Sequence, residues 1–213
     1  MMNKLNPFLK LIPVFGTILF VALYIIATLY YPGGSQTDIH STGFSWTNNY
    51  WCTLLSENAI NGQPNPARPI AMTGMLVLCL TLSFFWIQLP KYLRVAKWMK
   101  YIIQISGTLA MVVAFFLYTF IDHDLITNIA SFLGLIAISC TLAGLYSNKW
   151  YGLFAFGLVN LIFVGLNNYF YRTEGMLMYL PVVQKISFAS FLIWICAIDI
   201  HLFRKLSITV NFQ

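Results

Sequence analysis

The residues able to do chemistry are few and gather in two places. Between the first two apolar runs, the stretch GFSWTNNYWCTLLSENAIN from Gly43 to Asn61 sets Asn49, Thr53 and Glu57 four residues apart, with Ser56 and Asn58 alongside. Asp38 and His40 precede it, and Asn65 and Arg68 follow. Between the third and fourth apolar runs, the turn Asp122-His123-Asp124-Leu125-Ile126-Thr127-Asn128 brings two carboxylates and an imidazole together. Amides, carboxylates and aromatic rings in this mixture suit the orienting of a small polar ligand or a lipid headgroup. Carboxylate oxygens and imidazole nitrogens also ligate divalent metal ions, for which His40, His123, Asp122 and Glu57 are the candidates.

Two blander uses compete with these. Asp124 reads equally as the cap of the following helix and Asp122 as a solvated turn residue, since Asp is favoured at both places. Ser56, Glu57, His40 and His123 are also the residue types of a metal-assisted membrane hydrolase. No G-x-S-x-G elbow, H-x-x-x-H or H-E-x-x-H spacing accompanies them, so binding is expected before catalysis.

What positions these residues follows from composition. Of 213 residues, 59% are hydrophobic and only 8% charged, where a water-soluble domain carries roughly a quarter. The mean hydropathy of +0.75 excludes a soluble, disordered or collagen-like chain. Hydrocarbon offers backbone N–H and C=O groups no partners, so a spanning helix needs about 20 mostly apolar residues. Six such runs occur, at about 11–31, 69–89, 101–121, 129–146, 150–171 and 186–203. The expected fold is all-α, a polytopic membrane protein forming a single six-transmembrane-helix bundle across 1–213, with a long first outer loop over 32–68. The first run resembles a signal peptide but is too long for one and lacks an A-x-A site, so it reads as a retained span.

Orientation follows from the basic residues flanking the spans. Nine Lys/Arg and the single acid Asp199 fall on one side, three Lys/Arg and five acids on the other. The basic side, with both termini, is read as cytoplasmic and the membrane as the plasma membrane. Basic loops facing anionic lipid account for the pI near 9.2, so the bilayer and not nucleic acid is the expected partner. Tyr30 and Tyr31, Trp98 and Tyr101, Trp150 and Tyr151, and Tyr169 and Tyr171 read as interfacial belts.

Within the spans, polar residues are sparse. Asn160 and Asn167 share one face of the fifth run, bonding between helices or lining an outward pocket. Asp199 and His201 sit near the inner end, read as snorkelling or paired with Arg204. No charge lies at mid-depth, which leaves transport the weakest reading. Ala110 with Ala114, and Ala130 with Gly134, are small residues four apart that would let the third and fourth helices approach. Cys79, Cys140 and Cys196 fall within spans and Cys52 outside, so no disulfide is expected. The centre of the long loop lacks Pro and Gly and is expected to form a helix of about four turns ending at Gly62, with Asn49, Thr53 and Glu57 on one face.

The run Asn49 to Asn58, followed by Asn65-Pro66 and a Gly74-containing second span, resembles the uncharacterised prokaryotic membrane family catalogued as domain of unknown function 998, similar in layout to the DRAM/Sfk-like six-span proteins. In that pattern Ser56-Glu57 stands for a Ser-acid pair, Asn65 for a later Asn, and Asp122-His123-Asp124 for an acidic turn. The chain departs from it in having Glu57-Asn58 where Asp-Leu is common. The resemblance implies six spans and an outer-loop site, and no reaction.

Overall fold

The computed structural model describes residues 7–116 and 123–211. Among these, six helices are long and apolar enough to cross a membrane. They are α1 (Ile12–Leu29), α2 (Arg68–Gln88), α3 (Lys97–Phe115), α4 (His123–Ser147), α5 (Tyr151–Arg172) and α6 (Leu180–Asn211). Short 3₁₀ turns lead into α1 at Pro7–Leu11, follow α2 at Leu89–Lys91 and lead into α6 at Leu177–Tyr179. Pro stands in the opening positions of α1 and α2, where its missing N–H removes a donor that has no partner anyway.

Helix boundaries depart from the hydropathy reading wherever polar residues continue a helix past its apolar part. Lys97 to Lys100 belong to α3, and α4 starts at His123, so most of the expected turn is the first turns of that helix. Asp124 therefore lies inside the helix instead of ahead of it. At 32 residues α6 is about 48 Å long at 1.5 Å per residue, more than the ~30 Å of bilayer hydrocarbon, and protrudes from it.

Each helix packs on its chain neighbour, and α1 closes the series against α6. All connections are short except the one between α1 and α2, which returns over one end of the bundle as a cap. Glycine allows two of the close approaches. At Gly107 of α3 the Trp86 ring of α2 occupies the space a Cβ would need, and at Gly157 of α5 Leu142 and Trp194 do. Trp194 is fully buried and donates its indole N–H to the Leu153 carbonyl at 2.8 Å, tying α6 to α5. Ala110 and Ala114 are buried as expected, but a Cβ at Gly134 would meet nothing, so that glycine is no packing notch. Of the expected belt aromatics, Tyr31 and Trp150 are instead buried, while Tyr30, Trp98, Tyr101, Tyr151, Tyr169 and Tyr171 are exposed.

The end of the bundle opposite the cap holds a buried cluster of ionisable side chains. Lys10 is 2% exposed; its ammonium donates to Gln88 Oε1 at 3.4 Å and stands 4.1 Å from the Tyr92 ring centre. Asp199 is 4% exposed, feels the Lys10 charge, and leaves Oδ2 without a hydrogen-bond partner. It thus neither snorkels nor reaches the exposed Arg204; a carboxyl on the α1-facing side of α6 is turned inward. His201 rests on the Trp150 ring, centres 4.5 Å apart.

Lys10 and Asp199 are buried near each other, and removing one partner of a buried ion pair costs roughly 3–5 kcal/mol. Lys10→Met is expected to lower the thermal unfolding midpoint, and adding Asp199→Leu to restore most of the loss. A double variant no more stable than the single one would show that the two groups do not act on each other.

Candidate functional site

The cap contains no α-helix among its described residues. Its regular part is one five-residue 3₁₀ turn, Trp51–Leu55, bounded by extended backbone at Tyr50 (φ −72°, ψ 154°) and Ser56 (φ −68°, ψ 149°). The expected four-turn helix fails because Ser, Thr and Asn side chains offer the backbone nearer partners than a helix would. Asn49 Oδ1 accepts the Ser45 N–H at 2.8 Å, and its Nδ2 donates to the Gly34 carbonyl at 2.8 Å. Thr53 Oγ1 donates back to the Tyr50 carbonyl at 2.7 Å. Asn49 and Thr53 are consequently buried structural residues, whereas Glu57 is exposed, and the three share no face.

Asn65 performs the same service at the entry to α2. Its Nδ2 donates to the Thr53, Leu54 and Ser56 carbonyls at 3.4, 3.2 and 2.9 Å, and its Oδ1 accepts the Ala67 N–H at 3.1 Å. Tyr31 at the exit of α1 accepts the Ile60 N–H on its hydroxyl at 3.0 Å. Leu54, Leu55, Ala59 and Ala67 then join the helix core.

The remaining candidates do not converge. Asp38 and His40 are exposed and fold on each other, Asp38 Oδ1 accepting the His40 N–H at 2.9 Å. Ser56 and Asn58 are exposed, as is Asn128 on α4, and Arg68 is half-buried at the start of α2. Asn167 donates to Ser187 of α6, a bond between helices, and to the Phe163 carbonyl of its own helix. Asn160 is buried and donates within its own helix, to the Phe156 carbonyl at 3.2 Å. Asp122 and the side chains of His123 and Asp124 lie outside the described residues. Among the described residues no three His, Cys, Asp or Glu side chains gather closely enough to hold a metal ion.

A cavity of about 130 Å³ lies beneath the cap. Phe20 and Tyr24 of α1 and Met75 of α2 form one side, Gln184, Lys185 and Phe188 of α6 the other, and Trp51, Cys52 and Leu55 the roof. The Trp51 ring centre lies 6.0 Å from Phe20, 5.3 Å from Tyr24 and 5.5 Å from Phe188, a four-ring cluster with Phe20 and Phe188 5.6 Å apart. Lys185 reaches from α6 to the cap, its ammonium donating to the carbonyls of Asn49 and of Pro181 in its own first turn. No carboxylate pairs with it among the described residues. The Cys52 thiol is pushed up by burial, against the opposing pull of its backbone and of Lys185. Burial likewise raises Tyr50.

Sequence reasoning passed over Lys185, Cys52, Trp51 and Gln184. Lys185 carried the one available signal: a basic residue on the acid-rich side, four positions after the Pro181 that opens α6. Such a cation can hold an anionic or hydrogen-bond-accepting group, and the rings beside it an apolar one. Compared with protein-family models, curated proteins and solved structures, the chain matches none.

Because burial disfavours the thiolate, Cys52 should react with N-ethylmaleimide more slowly than free N-acetylcysteine at neutral pH, its rate still climbing with pH beyond the range where a free thiol levels off. Peptide mass spectrometry follows the rate at this position alone. Reaction as fast as the free thiol would contradict the burial.

Proposed function

We propose that this integral membrane protein is a binding protein whose ligand sits beneath the cap, between α1, α2 and α6, with Lys185 as its polar anchor. The supporting observation is an ammonium group held beside an aromatic cavity by two backbone carbonyls and, among the described residues, by no carboxylate. Ammonium has three N–H donors, and two carbonyls leave one to spare. Lys185 is half-buried, and a charge partly withdrawn from water without a counter-charge is unfavourable, so an anionic or strongly accepting group in the cavity would complete the site. This locates binding between the first long loop and the helices beneath it instead of between that loop and the turn at Asp122. The lysine and arginine asymmetry supports an orientation with the cap outside and both termini in the cytoplasm, in what we take to be the plasma membrane.

Native mass spectrometry of the purified protein provides the test. The wild type and Glu57→Ala, altered at an exposed carboxylate, are expected to carry the same non-covalent species, and Lys185→Met to lose most of it. An unchanged bound species in Lys185→Met, or none in the wild type, would remove this reading.

A further inference from the structure

The cavity's dimensions and walls narrow the class of ligand, on the reading that this cavity is the binding site. Its volume of about 130 Å³ is close to that of a buried apolar cavity of about 150 Å³ that stays dry and takes up benzene. It thus accommodates one compact apolar group, and being open on one side it leaves the rest of a ligand free to extend outside. Trp51 is the shared member of the ring cluster, set edge-on to Phe20 and Phe188, so an occupant meets both ring edges and ring faces. Trp51 also keeps a buried indole N–H that has no acceptor, and Lys185 keeps an N–H beyond those given to Asn49 and Pro181. Gln184 Oε1, in the same lining, is a buried acceptor without a donor, so the cavity offers two donors and one acceptor, and the two donors favour an occupant that brings oxygen atoms with it.

A cluster of four aromatic rings alone would equally suit a quaternary ammonium group, through attraction of the cation to the ring faces. The Lys185 ammonium on the same wall decides against that, since two like charges in an apolar cavity repel strongly. We infer that the cap cavity recognises an amphiphilic anion: a carboxylate or phosphate held by Lys185, attached to an apolar group about the size of a benzene ring seated among Phe20, Tyr24, Trp51 and Phe188. The same chemistry is presented by an aromatic acid arriving from the water outside and by the head and first carbons of an anionic lipid in the bilayer.

Bromine quenches tryptophan fluorescence at contact, and Trp51 lies in the cavity wall, so brominated probes test the inference directly. With the full chain in nanodiscs of zwitterionic lipid, 4-bromobenzoate or phosphatidylglycerol brominated near its headgroup is expected to quench saturably. The quenched component should vanish in Trp51→Phe. The neutral 4-bromobenzyl alcohol should bind at least about tenfold more weakly than the acid, one charge-assisted hydrogen bond being worth that much. That preference should disappear in Lys185→Met. Occupancy should also slow alkylation of Cys52, a readout that needs no substitution. Quenching by the acid alone would mark the water outside as the source, and by the lipid alone the bilayer; either supports the inference. A 4-bromobenzyl-trimethylammonium probe binding as well as the acid, or quenching that survives in Trp51→Phe with Cys52 unprotected, would overturn it. Should a species bound through Lys185 persist in mass spectra while neither anion quenches, the ligand class fails and the site stands. Absence of both removes the two together.

Discussion

A segment without regular secondary structure can lie against apolar helices only if its backbone donors and acceptors find partners within the protein. The loop between α1 and α2 meets this constraint with side chains. Asn49 serves Ser45 and Gly34, Asn65 serves four backbone groups between Thr53 and Ala67, and Tyr31 serves Ile60. Because these groups are satisfied locally, Leu54, Leu55 and Ala59 can be driven into the helix core. The cap thereby becomes a wall of the bundle, and the space left beneath it a cavity.

The same constraint bears on charge, and the bundle handles it differently at its two ends. Lys10, beside α6 at the end bearing the termini, has the Gln88 amide, the Tyr92 ring and the nearby Asp199 carboxyl. Lys185, at the cap end of α6, has two carbonyl oxygens and, more distantly, the Phe44 ring at 5.8 Å, with no carboxylate among the described residues. Lys10 is buried with a carboxyl near it, whereas Lys185 is half-buried and keeps an N–H beyond its two carbonyls. That difference, more than any residue type, is what the proposed site rests on. It also accounts for why the exposed acids and imidazole of the cap, Asp38, His40 and Glu57, take no part in the cavity: in water they need no protein partner.

The bundle itself was legible in the sequence, because apolar run length reports directly on whether a helix can cross hydrocarbon. Helix ends were less so; α6 continues past both ends of its apolar run, and nothing in hydropathy reports where a polar continuation stops. The proposed site was not legible in the sequence, for a specific reason. Polar residues in a nearly uncharged chain drew attention as chemistry, yet Asn49, Thr53 and Asn65 are consumed in holding backbone. Whether an Asn faces a ligand or its own main chain depends on contacts such as Asn49 with Gly34, fifteen residues away, which spacing does not encode. Lys185 escaped notice because it reads as a loop-side charge until the cap is folded over it. Asp199 escaped for the converse reason: one turn from basic residues it reads as solvated, and only the packing of the Pro7–Leu11 turn on α6 buries it.

Hydrogen exchange of the cap amides measures most directly whether this loop is a fixed wall of the bundle. The N–H groups of Asn49, Thr53, Asn65 and Ala67, bonded respectively to Ser45, Tyr50, Glu57 and the Asn65 side chain, should exchange as slowly as the interior amides of α1 and α2. Exchange of these four as fast as that of the exposed Glu174 would mean that the cap is an ordinary surface loop, with no cavity to roof and no lysine to hold in place.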